Sequence, residues 1–166
     1  MEVGESAHLC VLRSEQALIV QTFSSKKGWR PDDLEGTPLS LQSSLAGHVL
    51  VSDWNEDLIG TLFSRDDDIH AALTALRQVK RSGYAISEGG FQGNAIGISS
   101  PVRDFQSRIV AALVVYLPVT HITEKLHAAG RLTLRSAVQL SRALGYSGAI
   151  IDGRILVAGE HKHPGA

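Results

Sequence analysis

The chain is short of several things, and each shortage closes off a class of protein. Cysteine occurs once, as Cys10, in 166 residues. No intrachain disulfide can form, so the fold rests on its apolar core, and a cytoplasmic location is expected. Cys10 lies in the apolar run "HLCVLR", where a small buried hydrophobe is expected rather than a nucleophile. Lysine and arginine number 16 against 17 aspartates and glutamates, the net charge is −1, and no stretch concentrates the basic residues. A domain that grips nucleic acid usually carries a basic face, so this chain is not expected to hold DNA by itself. The longest apolar run, Ile109 to Leu117, is far too short to span a bilayer. The acidic, polar start "MEVGESAH" does not read as a signal peptide. No membrane partner is expected.

What is present is ordinary for a globular domain: 43% hydrophobic and 20% charged residues. A chain of this length buries about two-thirds of its unfolded surface without a covalent staple. "AHLCVLR" and "ALIVQTFSS" are apolar, β-branched runs that predict a hairpin. In "LSLQSSLAGHVLVSDW", Leu41, Leu45, Ala46, Val49 and Leu50 share one helical face. "NEDLIGTLF" predicts a short helix capped by Asn55. "SRDDDIHAALTALRQVKRSG" predicts a longer one, capped by Asp68, with a stripe of Ile69, Ala72, Leu73, Leu76 and Val79, and stopped by Gly83. A short strand at "YAISEGG" and the hairpin "GNAIGISSPVRDFQSRIVAALVVYLPV" follow. After Pro118, Ile122, Leu126, Ala129, Thr133, Ala137, Leu140 and Leu144 keep one helical face until Gly145. Asp152-Gly153 between two apolar runs predicts a terminal hairpin. Strands joined by short turns and helices arriving in blocks imply an α+β fold, with the helices on one face or at the ends of an antiparallel sheet.

No reaction class assembles from these residues. The seven histidines (His8, His48, His70, His121, His127, His161 and His163) show no metal-ligand spacing. Asp66 to Asp68 are expected to serve a helix N-terminus rather than a metal. "SSLAG" and "GISSP" do not match a nucleophile elbow, and the glycine-rich "GGFQG" precedes a strand where a phosphate cradle would open a helix. No catalytic residue, metal ligand or cofactor is expected.

The stronger signal lies in the central hairpin. A four-residue turn at Asp104 to Ser107 sets Gly97 opposite Val114, Ala95 opposite Tyr116 and Ser99 opposite Ala112 on one face. Ile96, Ile98 and Val102 then meet Val115, Leu113 and Ile109 on the other. The second face is a filled core; the first carries almost no side-chain volume on its leading strand. Two readings of that gap stand side by side: a small-molecule pocket beside a tyrosine, or close packing of a helix.

The segment "ALTALRQVKRSGYAISEGGFQGNAIGISSPVRDFQSRIVAALVVYLP", with "TPLSLQSSLAGHVL" before it and "AVQLSRALG" after it, resembles the effector-binding domain of IclR-family transcription regulators. The resemblance runs from about Ala7 to Gly145 and rests on the order and spacing of these motifs. It implies a GAF/PAS-like antiparallel sheet with helices packed on it. It implies binding of a small organic effector, often a carboxylic or aromatic acid, and assembly as a homodimer or tetramer. DNA would be read only through a separate winged-helix domain, for which no segment is expected before Ala7. The chain is then expected to be a single effector-binding domain over 1–166, with residues 146–166 as a hairpin and tail beyond the family core.

By the same resemblance, the effector pocket falls on Leu45, Ala46, Ser87, Ala95, Gly97, Val114 and Tyr116. Several residues depart from the family pattern. His48 stands where a lysine is common, Ser87 where an acidic residue is frequent, and Ser107 at a turn position usually held by glycine. Gly97 and Val114 replace more polar side chains, which implies a less polar or more aromatic effector than a small keto acid. A stand-alone small-molecule-binding protein is the second reading. An enzyme is the third; it would need convergent titratable groups, and Tyr116 alone among the pocket-floor residues ionises.

Overall fold

The computed structural model describes residues 6–24, 34–87, 95–119, 124–151 and 154–156. In chain order the elements are β1 (Ala7–Arg13), β2 (Gln16–Phe23), β3 (Pro38–Ser40), α1 (Leu45–Leu50), α2 (Glu56–Leu62) and α3 (Asp66–Ser82). They continue with β4 (Ala85–Ser87), β5 (Ala95–Arg103), β6 (Ile109–Pro118), α4 (Glu124–Ala143), β7 (Ala149–Ile151) and β8 (Arg154–Leu156). Six strands form one antiparallel sheet in the order β3-β2-β1-β6-β5-β4, while β7 and β8 pair separately. The predicted α+β class with an antiparallel sheet is what forms. The terminal hairpin forms as well, with its Asp152-Gly153 turn and the His161/His163 tail outside the described residues.

The helices are not confined to one face. Ala46, Val49 and Leu50 of α1 and Ala75 and Val79 of α3 pack with Cys10, Ala17, Ile19, Val114 and Tyr116 on one side of the sheet. On the other side, Ala137 of α4 packs with Val102, Ala111, Leu113 and Val115, and Ala129 with Ile98 and Leu117. The strand alternation explains this. β5 and β6 are buried along almost their whole length, so both faces need a cover. The fully buried Ile19, Ile98 and Leu113 each contribute about 1.5–3 kcal/mol by leaving water.

Local chemistry shifts several boundaries. The helix expected through Leu41 is shorter. Pro38–Ser40 pairs with β2, a turn follows, and α1 starts only at Leu45. Proline at the edge of a sheet and a run of serines explain the delay. The Ser44 hydroxyl accepts from the Gly47 backbone N–H at 3.0 Å and caps the helix there. Asn55 caps α2 as expected, accepting from Asp57 N–H at 2.8 Å. Asp68 is not the cap of α3. The cap position is held by Arg65, three residues earlier, so Asp66, Asp67 and Asp68 all fall in the first turn, where they complement the helix dipole. Gly83 stops α3 in a left-handed conformation, φ +80°. On α4 the stripe shifts: Leu134, Val138 and Ser141 are buried, whereas Leu140 and Leu144 are exposed. Ile122 lies outside the described residues.

The central hairpin pairs two residues away from the expected register. Gly97 faces Tyr116, Ser99 faces Val114 and Ala95 faces Pro118. A bulge between Val102 and Arg103 sets Arg103 against Ile109. The turn is therefore longer than four residues. Asp104 organises it: its carboxylate accepts from the backbone N–H of Gln106 and Arg108 and from the Arg108 guanidinium. Ser107 takes up a left-handed φ of +65° there. A slip of two residues preserves faces, so Ala95, Gly97, Val114 and Tyr116 still share a side. The bulge reverses Ile109, which packs with the Val114 and Tyr116 cluster rather than with Leu113.

Candidate ligand-binding site

Between α1, α3 and β4 lies a cavity of about 210 Å³, lined by Leu45, His48, His70, Ala71, Thr74, Ala75, Ile86 and Ser87. The seven residues expected at a pocket fall into two adjoining groups. Leu45 and Ser87 line the cavity. Ala46, Ala95, Val114 and Tyr116 do not line it; they are buried in one core cluster, against which Leu45 packs. Gly97 joins the groups. It pairs with Ser87 on one side and Tyr116 on the other. A β-carbon placed on it would lie 3.1 Å from Leu45 Cδ2 and 3.7 Å from the Tyr116 ring. The lean strand thus leaves room that the tip of Leu45 occupies, with open space immediately outside. Over Gly97 itself a helix side chain packs closely, and the cavity lies beside Leu45 and Ser87.

The polar lining comes from three elements. Ser44 caps α1 and starts it at Leu45, so Leu45 and His48, three residues apart, fall on one face. His48 is buried, and its Nε2 donates to the Gln42 carbonyl at 2.6 Å. A carbonyl only accepts, so Nε2 carries the proton and Nδ1 is the acceptor of the neutral ring. His70, Ala71, Thr74 and Ala75 sit one turn apart on α3, on the flank of its apolar stripe. The apolar stripe is legible in the sequence, whereas this flank is not. The only signal was a pair of small residues beside a histidine and a threonine at i, i+4 spacing.

Tyr116 meets the ring of His8 edge-on at 5.2 Å. Its phenol is pushed up by burial, and secondarily by Cys10, so it is a neutral hydroxyl. Burial pushes the Cys10 thiol up to about 12, which leaves it a protonated core residue, as its sequence context suggested. Desolvation lowers the pKa of His8. It also lowers that of His48, against the Gln42 carbonyl and the Asp68 charge, which favour the protonated form.

These two histidines set a pH dependence. Above pH ~7 they are neutral in both folded and unfolded chains; as the pH falls through about 6.5, the unfolded chain takes up protons that the folded one refuses. Stability is therefore expected to be level at mildly alkaline pH and to fall on acidification, flattening only below the lowered folded-state values. Urea midpoints across that range, in the wild type and in His48→Gln, read this out. The variant should show a shallower fall. A midpoint that does not move in the wild type would contradict neutral buried histidines.

Among the described residues no three His, Cys, Asp or Glu side chains converge as a metal site would need. No described helix is long and apolar enough to cross a membrane.

Comparison with known proteins agrees with this architecture. The family model described as "Bacterial transcriptional regulator IclR C-terminal" matches residues 1–142. The chain belongs to the IclR family. It corresponds to the C-terminal, effector-binding domain of regulators in a family of transcription factors rather than of enzymes. Among IclR relatives, the HTH-type transcriptional regulator XynR of Escherichia coli (strain K12) is 27% identical over 86% of this chain. The match takes in 61% of XynR, so the chain spans about three-fifths of that relative's length. A solved domain of an IclR-family regulator superposes with a TM-score of 0.74 at 22% identity, over 87% of this chain and 89% of that one. An IclR homolog from Microbacterium hydrocarbonoxydans, solved in complex with 4-hydroxybenzoate, gives 0.66 at 22% identity over 86% of this chain and 62% of that one. At these identities the superpositions speak for the fold.

Proposed function

We propose that this IclR domain senses a small organic acid in the cavity between α1, α3 and β4, with Leu45, Ala46, Ser87, Ala95, Gly97, Val114 and Tyr116 as the binding residues. The observation that carries the reading is the cavity itself. Its lining combines apolar Leu45, Ala71, Ala75 and Ile86 with four polar side chains (His48, His70, Thr74 and Ser87), which is the usual make-up of a small-molecule site. Its volume of about 210 Å³ suits an effector of one ring or fewer. The 4-hydroxybenzoate held by the Microbacterium homolog belongs to that size class.

In this reading the domain works as a homodimer or tetramer in the cytoplasm, and a separate winged-helix domain reads the DNA. Effector binding shifts the balance between two arrangements of the assembly. The neutral, buried Tyr116 would donate to an effector oxygen.

A thermal-shift series with small monocarboxylic acids tests the reading. An acid at about a hundred times its dissociation constant should stabilise the domain by roughly 2.7 kcal/mol. Ala71→Phe, which fills the cavity from the exposed side of α3, should remove that shift without lowering the ligand-free melting temperature. A shift that survives Ala71→Phe would place the binding elsewhere.

A further inference from the structure

Among the described residues two buried hydroxyls have no hydrogen-bond partner, those of Tyr146 and Ser99, and Ser99 differs in this from other buried serines and threonines. Ser52, Ser100, Thr133 and Ser141 each donate to a backbone carbonyl, at 2.7–2.9 Å. Ser99 is fully buried, and its Oγ has no hydrogen-bond partner. A buried hydroxyl without a partner is costly, and native proteins keep few of them. Its place in the fold suggests a use. Ser99 lies two residues along β5 from Gly97, on the same face and about 7 Å further along the strand, between Ala85 on β4 and Val114 on β6. Ser87 and Leu45 line the cavity, Gly97 lies under the tip of Leu45 and pairs with Ser87, and Ser99 follows two residues further along β5.

We propose that Ser99 is a specificity-determining residue of the effector site. Its hydroxyl takes a polar group at the end of the effector remote from the acid. This rests on the acid-sensing reading given above and narrows it to one class: aromatic acids bearing a ring hydroxyl. Such a molecule pushes the Leu45 tip aside and lays its ring over Gly97 against Tyr116. Its carboxylate stays among His70, Thr74 and Ser87. Its phenolic hydroxyl, both donor and acceptor, meets Ser99. Because Ser99 is already out of water and unpaired in the free domain, the new bond is not traded against a lost protein–water bond, and discrimination against an acid lacking the hydroxyl should reach roughly tenfold.

The experiment measures 4-hydroxybenzoate and benzoate binding to the full chain by calorimetry, in the wild type and in Ser99→Ala. The expected result is a preference for 4-hydroxybenzoate of about tenfold in the wild type that collapses in Ser99→Ala, with benzoate affinity unchanged. Ser99→Ala should also melt no lower than the wild type, since it removes an unpaired group. A preference that persists in Ser99→Ala, or a variant that melts well below the wild type because the hydroxyl was satisfied after all, overturns the assignment. Equal binding of both acids to the wild type overturns it while leaving the sensor reading intact. If neither acid binds, the aromatic-acid reading of the pocket falls and takes this assignment with it.

Discussion

Gly47→Ala is expected to destabilise the domain by about 3 kcal/mol, at the upper end of the usual cost of overpacking. Helix propensity alone points the other way, since alanine in a helix interior is favoured over glycine by about 1 kcal/mol. Sterics decide the sign. A β-carbon at position 47 would lie 2.3 Å from the Leu41 carbonyl oxygen and 2.7 Å from its carbonyl carbon and Cα. All three are backbone atoms, in a buried residue that packs with Val51 and Phe63, so no flexible side chain can yield. Either α1 or the turn before it has to move. Because α1 carries Leu45 and His48 into the cavity, acid-induced stabilisation should vanish together with the lost stability. Urea unfolding at constant m-value, followed by the thermal-shift series on the same variant, checks both parts. A variant as stable as the wild type would show that the close approach of Leu41 to α1 is dispensable.

The second large effect is expected at Asp53. Arg103, at the end of β5, is only 7% exposed, and both of its terminal nitrogens meet the Asp53 carboxylate; Nη2 lies 2.9 Å from Oδ1. One of them also donates to the Ser107 carbonyl at 2.7 Å. Asp53→Ala leaves a buried guanidinium with that single carbonyl. Breaking a buried pair from one side typically costs about 3–5 kcal/mol. Asp53 is itself 44% exposed, so water will partly replace it, and a cost of about 2–3 kcal/mol is expected. Asp53→Asn keeps one acceptor and should cost less. Adding Arg103→Leu to Asp53→Ala should recover part of the loss, because the stranded charge is then gone. A double-mutant cycle in urea measures the coupling, and a value near zero would mean that the pair does not tie the turn after α1 to the β5–β6 hairpin. That tie holds the C-terminal end of α1 in place while Ser44 holds its start.

Much of this architecture was legible in the residues. Gly83, Asn55 and the apolar alternation of β5 and β6 act over a few neighbouring positions, and each did locally what such residues do. The alternation even placed Ala95, Gly97, Val114 and Tyr116 on a common face, although the pairing was two residues off, because faces survive an even slip. Ile109 was misplaced for the complementary reason: a bulge adds one residue, an odd step, and nothing in "RDFQSRIV" announces it. Leu140 and Leu144 were expected to be buried, yet α4 presents Val138 and Ser141 to the sheet instead. A helical stripe gives a face only to within its own width.

The candidate site divides along the same line. Composition and local pattern by themselves determined that the chain folds without disulfides as an α+β domain with an antiparallel sheet, and that one face of its central hairpin is lean. Those properties depend on neighbours in sequence. Only the tertiary structure decided what stands over that face. Leu45 of α1 rests on Gly97 of β5, fifty-two positions away in the chain, and α3 adds His70 and Thr74 to a cavity whose other walls are α1 and β4. The empty hydrogen-bonding capacity of Ser99 is likewise invisible in the sequence. A serine reads the same whether or not a partner comes within reach, and reach is set by which elements pack together rather than by which residues are adjacent.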